Sequence, residues 1–144
     1  MELAFGQAVR ARDAGEVPVG AVIVDGTSGE VIAAAHNLTE TGNDPTAHAE
    51  ILAIRAAALK LKSPRLITCD LYVTLEPCAM CAAAIAHARL RRLYFSAYDP
   101  KGGGVEHGAR FFHQPTCHHR PEVVGGIGEG RSAELLKTFF AERR

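Results

Sequence analysis

The sequence predicts an α/β fold, a mixed sheet of about five strands with helices on both faces, from three observations. Two β-branched runs, Val17 to Asp25 and Val31 to Ala35, are joined by Gly26-Thr27-Ser28-Gly29, the pattern of a hairpin. Later, apolar runs at Leu71 to Thr74 and Leu93 to Ala97 flank an alanine-rich stretch, and that strand, helix, strand order points to a right-handed parallel crossover. Helix-forming sequence also opens the chain, fills its middle and closes it.

Taken in order, a first helix is expected from Glu2 to Asp13, followed by the hairpin. Asp44-Pro45-Thr46 then offers turn and cap residues, and Ala47 to Leu61 is strongly helix-forming. After the strand Leu71 to Thr74, Pro77 suits the first position of a helix, where its missing N–H costs nothing, so a helix is expected over Cys78 to Ala88. The strand Leu93 to Ala97 follows, then Gly102 to Gly104 as a flexible loop and a short strand at Glu122 to Val124. A last helix, Ser132 to Arg143, carries Leu135, Leu136, Phe139 and Phe140 as its apolar stripe. With 144 residues, no internal repeat and no Pro/Gly/Ser-rich linker, one domain over 1–144 is expected.

Formal net charge is zero, which argues against a globally basic nucleic-acid-binding surface. Charge is nevertheless uneven: two basic residues face eight acidic ones through Glu50, against fourteen and eight from Ile51 onward. Any phosphate-contacting face should therefore come from the later part, with Arg89, Arg91, Arg92, Lys101, Arg110, Arg120, Arg143 and Arg144 as candidates. For most of them taken singly, solvated surface charge is the simpler explanation. No basic segment followed by an apolar one opens the sequence, and no apolar run reaches the roughly 18 residues needed to span a bilayer. A cytoplasmic protein with reduced cysteines and no membrane contact is expected.

The chemistry concentrates in His48-Ala49-Glu50 and Thr74-Leu75-Glu76-Pro77-Cys78-Ala79-Met80-Cys81. His48, Cys78 and Cys81 offer one imidazole and two thiolates, a ligand set that suits zinc and leaves its fourth position open to water. Each ligand falls near a predicted helix start, where the dipole favours thiolate, so the metal would bridge two helix N-termini. Glu50, two residues after His48, is assigned as proton shuttle: zinc lowers the pKa of its water to about 7, and a nearby carboxylate can take that proton and deliver it elsewhere. Alone, C-x-x-C could be half of a structural zinc site or a redox dithiol. Here the proline precedes the first cysteine, and the histidine fragment accompanies it. Cys117-His118-His119 suggests a second metal site only weakly, because a histidine pair in a Pro-flanked loop is more often no ligand set. Cys69, ahead of a strand, reads as a small buried apolar residue.

H-x-E followed by P-C-x-x-C is the signature of zinc nucleobase deaminases. Together with Glu16-Val17-Pro18-Val19-Gly20-Ala21-Val22, Asn37, Asp44-Pro45-Thr46, Asp99-Pro100-Lys101-Gly102-Gly103 and His118-His119-Arg120, it makes nearly the whole chain resemble the bacterial tRNA-specific adenosine deaminases of the cytidine and deoxycytidylate deaminase superfamily. Gly104 to Cys117 departs most from that pattern. The resemblance implies a three-layer α-β-α cytidine-deaminase-like fold, one zinc per subunit, a homodimer, and a tRNA anticodon stem-loop as partner. It further implies hydrolytic conversion of adenosine to inosine at the wobble position, with arginine tRNA as the substrate. Asn37 matches the family's substrate asparagine, and Ala49 the small residue whose N–H faces the base. Asp99 and Lys101 match a loop near the flanking nucleotides, while Phe140, Arg143 and Arg144 are expected to meet RNA from the last helix. Without the resemblance, Asn37 and Asp99-Pro100 would pass for turn residues. Two rivals stay open: a free-base or nucleoside deaminase of guanine or cytosine type, and a non-catalytic zinc-stabilised interaction module, which would need a fourth protein ligand.

Overall fold

The computed structural model describes residues 1–143. In chain order they form α1 (Glu2–Asp13), β1 (Gly20–Asp25), β2 (Val31–His36), α2 (Ala49–Leu61), β3 (Cys69–Leu75), α3 (Ala79–His87), β4 (Arg92–Ala97), β5 (Glu122–Val124) and α4 (Glu129–Ala141). A 3-10 turn at Phe111–His113 is an addition to the expected elements.

The strands assemble in the order β2-β1-β3-β4-β5, with β1 antiparallel to both β2 and β3, and β4 parallel to both β3 and β5. The hairpin and the crossover are thus two halves of one mixed sheet. Asp25 builds the hairpin turn, its carboxylate accepting from the Thr27 N–H at 2.8 Å and the Thr27 hydroxyl at 2.6 Å. β1 begins later than the β-branched run suggested: Pro18 has no N–H for the ladder, and the regular pairing with β2 starts at Gly20, opposite His36. A side chain at Gly20 would collide with the Ala4 carbonyl oxygen of α1, so glycine is what lets helix and sheet meet this closely.

α1 covers β1, β2 and β3, and α4 covers β4 and β3, while α2 packs on β1 and β2 and on α3. Three layers result, α-β-α. Central strands covered on both faces explain why β1 and β3 read as nearly continuous apolar runs rather than alternating ones. Ile23, Leu66, Leu71, Ile85, Leu90, Leu93 and Phe95 are fully buried between the layers, each contributing roughly 1.5–3 kcal/mol of burial.

The last helix runs Glu129–Ala141, not Ser132 to Arg143, and its buried contacts come from Ser132 and Phe139. Leu135 and Leu136 are half-buried, and Phe140 is 47% exposed, off the expected stripe. No helix among the described residues is long and apolar enough to cross a membrane. The parallel strands β3 and β4 finish at the same end of the sheet, and the loops leaving their C-termini carry the chemistry.

Candidate metal centre and active site

His48 and Cys78 each occupy the N-cap of a helix, α2 and α3, with extended backbone (φ −73°, ψ 150° and φ −71°, ψ 175°). Both helices therefore start later than expected. Asp44 spends its side chain on a turn, accepting from the Thr46 N–H and hydroxyl at 2.9 and 2.8 Å, and α2 begins only at Ala49. Pro77 lies two residues before the start of α3, just ahead of its N-cap, instead of at its first position. The shift matters because neither residue uses its side chain as a helix cap, and the imidazole and the thiol turn toward each other.

They do meet. His48 Nδ1 lies 3.6 Å from Cys78 Sγ and 3.5 Å from Cys81 Sγ, and the three ligand atoms all fall within 4.8 Å of one another. Tetrahedral zinc with ordinary bond lengths would hold an imidazole nitrogen and a thiolate sulfur about 3.6 Å apart. The donor set and its spacing therefore fit zinc, with one position left over. Cys117 and His119 form no second centre: the Cys117 thiol donates to the His119 carbonyl at 3.1 Å, and His119 Nε2 sits 2.7 Å from the Leu90 carbonyl.

The protein groups around the site shift one another's proton affinities in opposite directions. The hydrogen bond from Cys81, with His48 beside it, pulls the Cys78 thiol down to about 4, well inside the thiolate range at neutral pH. Cys81 is pushed up by its hydrogen bond to Cys78, by burial and by the Glu50 charge. His48 is raised, chiefly by its hydrogen bond to Cys78. Burial drives the Glu50 carboxyl up. Without a cation the protein therefore keeps one thiolate, on Cys78, with protons held by Cys81 and favoured on Glu50 and His48; a metal bound between the ligands would displace the ligand protons.

A cavity of about 300 Å³ opens beside these groups, lined by Asn37, His48, Glu50, Cys78 and Asp99 among others. Glu50, in the first turn of α2, is 4% exposed and faces the same space as the ligands. Asn37 makes no Asx turn; its Oδ1 accepts the Ala49 N–H at 2.8 Å. That bond fixes the amide: the oxygen is taken by the start of α2, and the NH₂ remains to meet a ligand. Ala49 is 0% exposed, and its N–H is the donor in that bond.

Asp99 lines the cavity, and its Oδ1 accepts the N–H groups of Lys101 at 3.2 Å and Gly102 at 3.0 Å, so it shapes the loop as well as the wall. Lys101 is exposed outside the cavity. Phe140 and Arg143, on and just after α4, do not line it either; the Arg143 guanidinium stacks 3.5 Å from the Phe139 ring centre. Arg144 lies outside the described residues. Among the proposed phosphate contacts, Arg91 is held by two hydrogen bonds to Asp70, and Arg92 pairs with Glu122 at 3.0 Å. Those two are structural charges.

Two residues escaped the functional reading of the sequence. Glu16, 0% exposed, accepts from the Glu40 N–H at 3.1 Å, the Thr41 N–H and hydroxyl at 2.6 Å each, and the Thr39 hydroxyl at 3.4 Å. Glu76 does the same for the loop after β4. Burial opposes ionisation of both, and the donors outweigh it, holding both carboxyls below their usual range. A glutamate directly beside a long apolar run was the signal that could have found them.

The family model for the cytidine and deoxycytidylate deaminase zinc-binding region matches residues 1–97, spanning His48, Glu50 and both cysteines. The chain belongs to this deaminase family. As a deaminase it is 58% identical over 144 residues to the tRNA-specific adenosine deaminase of Agrobacterium fabrum, covering 100% of this chain and 93% of that one. A solved structure from studies of A-to-I editing by tRNA:A34 deaminases at the wobble position of transfer RNA superposes with a TM-score of 0.91 at 59% identity, covering 94% of this deaminase and 97% of that chain. The guanine deaminase of Bacillus subtilis follows at a TM-score of 0.66 and 34% identity, covering 99% and 90%.

Proposed function

We propose that the chain is a zinc-dependent hydrolase that deaminates adenosine to inosine at the wobble position of a tRNA anticodon, arginine tRNA by its family resemblance. The observation that carries the chemistry is the meeting of His48, Cys78 and Cys81 at the edge of a cavity that Glu50 and Asn37 also line. Held by those three ligands, one zinc per subunit would supply Lewis acidity to water at the cavity floor. Glu50 accepts one proton as water adds to the amine-bearing ring carbon and passes it to the adjacent ring nitrogen, then carries the remaining hydroxyl proton to the amine, so that the C–N bond breaks, ammonia leaves and the oxygen stays as a carbonyl. Asn37 presents its NH₂ to an acceptor on the purine edge, because Ala49 holds the other end of its amide. A base must leave the stack to reach this buried carboxylate, which suits the splayed nucleotides of an anticodon loop.

The RNA-selective reading rests on full-length similarity to tRNA-specific deaminases, set against lower similarity to a guanine deaminase. Asp99 and Lys101 belong to the loop that would meet the flanking nucleotides, and Phe140, Arg143 and Arg144 would extend the contact from the C-terminal end. We assign the active form as a homodimer in the cytoplasm, acting without a membrane. The test is incubation of purified protein with an anticodon stem-loop bearing a wobble adenosine, beside free adenosine, guanine and cytidine. Inosine in the stem-loop with little turnover of the others is expected. Efficient deamination of guanine or cytidine, with the stem-loop ignored, would replace this reading with the small-molecule one.

A further inference from the structure

The carboxylate of Glu76 has 0% of its side chain exposed although the residue borders the cavity, and its contacts run to one loop. Oε1 accepts the Asp99 N–H at 3.0 Å and faces His107 Nδ1 at 2.8 Å, while Oε2 accepts the N–H groups of Val105 at 3.2 Å, Glu106 at 2.9 Å and His107 at 3.1 Å. This loop, between β4 and the 3-10 turn, has no helix or strand to satisfy its own backbone. One buried anion substitutes for that missing ladder.

The loop also fits closely around that anion. A side chain at Gly103 would collide with the Glu76 carboxylate and the Asp99 carbonyl, and one at Gly104 with the Ala79 backbone at the start of α3. Gly104 N–H donates to the Pro77 carbonyl at 2.8 Å, immediately before Cys78. The loop wall of the cavity, where Asp99 and Gly102 stand, is thereby keyed to the segment that presents Cys78.

We infer that Glu76 is a positioning residue for substrate: through Asp99 and the backbone of 105–107 it sets the loop that closes one side of the cavity, without touching the reacting atoms. The inference rests on the cavity being the substrate site. A solvent-shielded carboxylate saturated by the loop's donors has no capacity left for a base or a proton relay, whereas its loss would free the loop backbone and misplace Asp99 and Gly102. Binding is therefore the quantity that Glu76 controls.

Glu76→Gln and Gly103→Ala test this from opposite sides, the first neutralising the anchor and the second pushing the loop off it. Both are expected to raise KM for the stem-loop about tenfold or more, to change kcat at saturation much less and to keep zinc content close to the starting protein, while the melting temperature falls by several degrees as a buried anchor is weakened. Amide exchange at Val105 to His107 should quicken in both, and Glu76→Asp should recover part of the KM, because a carboxylate is restored one methylene short. Should Glu76→Gln fail to fold, Gly103→Ala carries the same KM and exchange readouts. An unchanged KM with faster exchange would overturn the inference, as would a loss confined to kcat or to bound zinc. If the starting protein ignores the stem-loop and deaminates a free base, the same KM comparison on that base still decides the role of Glu76, while the tRNA reading alone falls.

Discussion

At the residue scale, division of labour around the cavity is sharp enough to separate by substitution. Cys78→Ala and Cys81→Ala each leave two protein ligands, so zinc at about one per chain should be lost in both variants. Elemental analysis checks this, and full zinc retention in either would remove that cysteine from the ligand set. Glu50→Ala takes away a proton carrier and no ligand. It should keep the metal and the fold while turnover falls by roughly 10²–10⁴-fold. Near-normal turnover in that variant would eliminate the proposed proton path. Cys69, 0% exposed at the start of β3, behaves as the small apolar residue its surroundings suggested.

Elements place those residues, and loops tied to buried carboxylates complete the walls. α1 ends at Asp13, and the Glu16 N–H bonds back to the Ala11 carbonyl at 2.9 Å through a turn in which Gly15 has φ +80°. That turn aims Glu16 into the loop containing Thr39, a cavity-lining residue. Glu16→Gln should lower the melting temperature by several degrees at neutral pH, since strong acceptors become a weaker, partly donating group. The sign with pH follows from the depressed carboxyl: its stabilisation is present above the ordinary value of 4.5 and is lost as pH falls below it through the folded-state value. The gap between parent and variant should therefore close in acid, and a gap that widens there would refute the anchoring role. Sequence periodicity disclosed every helix and strand to within a few residues, and the metal motif disclosed the three side chains that come together. It could not disclose the anchors, because Glu16 and Glu76 act on backbone groups 23 to 31 residues away, contacts that impose no spacing on side chains. Likewise the commitment of the Ala49 N–H to Asn37 depends on how β2 delivers the chain onto α2, which local pattern does not encode.

For the whole molecule, net charge of zero means that the proposed RNA affinity would have to come from local cationic groups, and two of the candidates are already paired with Asp70 and Glu122. Activity on the stem-loop should still fall steeply with added salt, because each neutralised phosphate releases condensed counterion. Replacing Arg143 and Arg144 together by Ala should weaken stem-loop binding and flatten that dependence, with zinc content unchanged. Binding that keeps its strength and salt slope would reduce both to surface charge. Mass measurement in solution tests the dimer independently of catalysis.

His48 and Cys78 stand 30 residues apart in sequence, on either side of a stretch that contains all of α2 and β3. An ion gripped by both is in effect a reversible crosslink, closing a chain loop whose entropy the unfolded polypeptide would otherwise enjoy. Thermal resistance of this protein should then track free zinc concentration as ligand linkage demands, rising by about 1.4 kcal/mol per tenfold excess over the dissociation constant. A strong chelator would act as a denaturant by mass action alone.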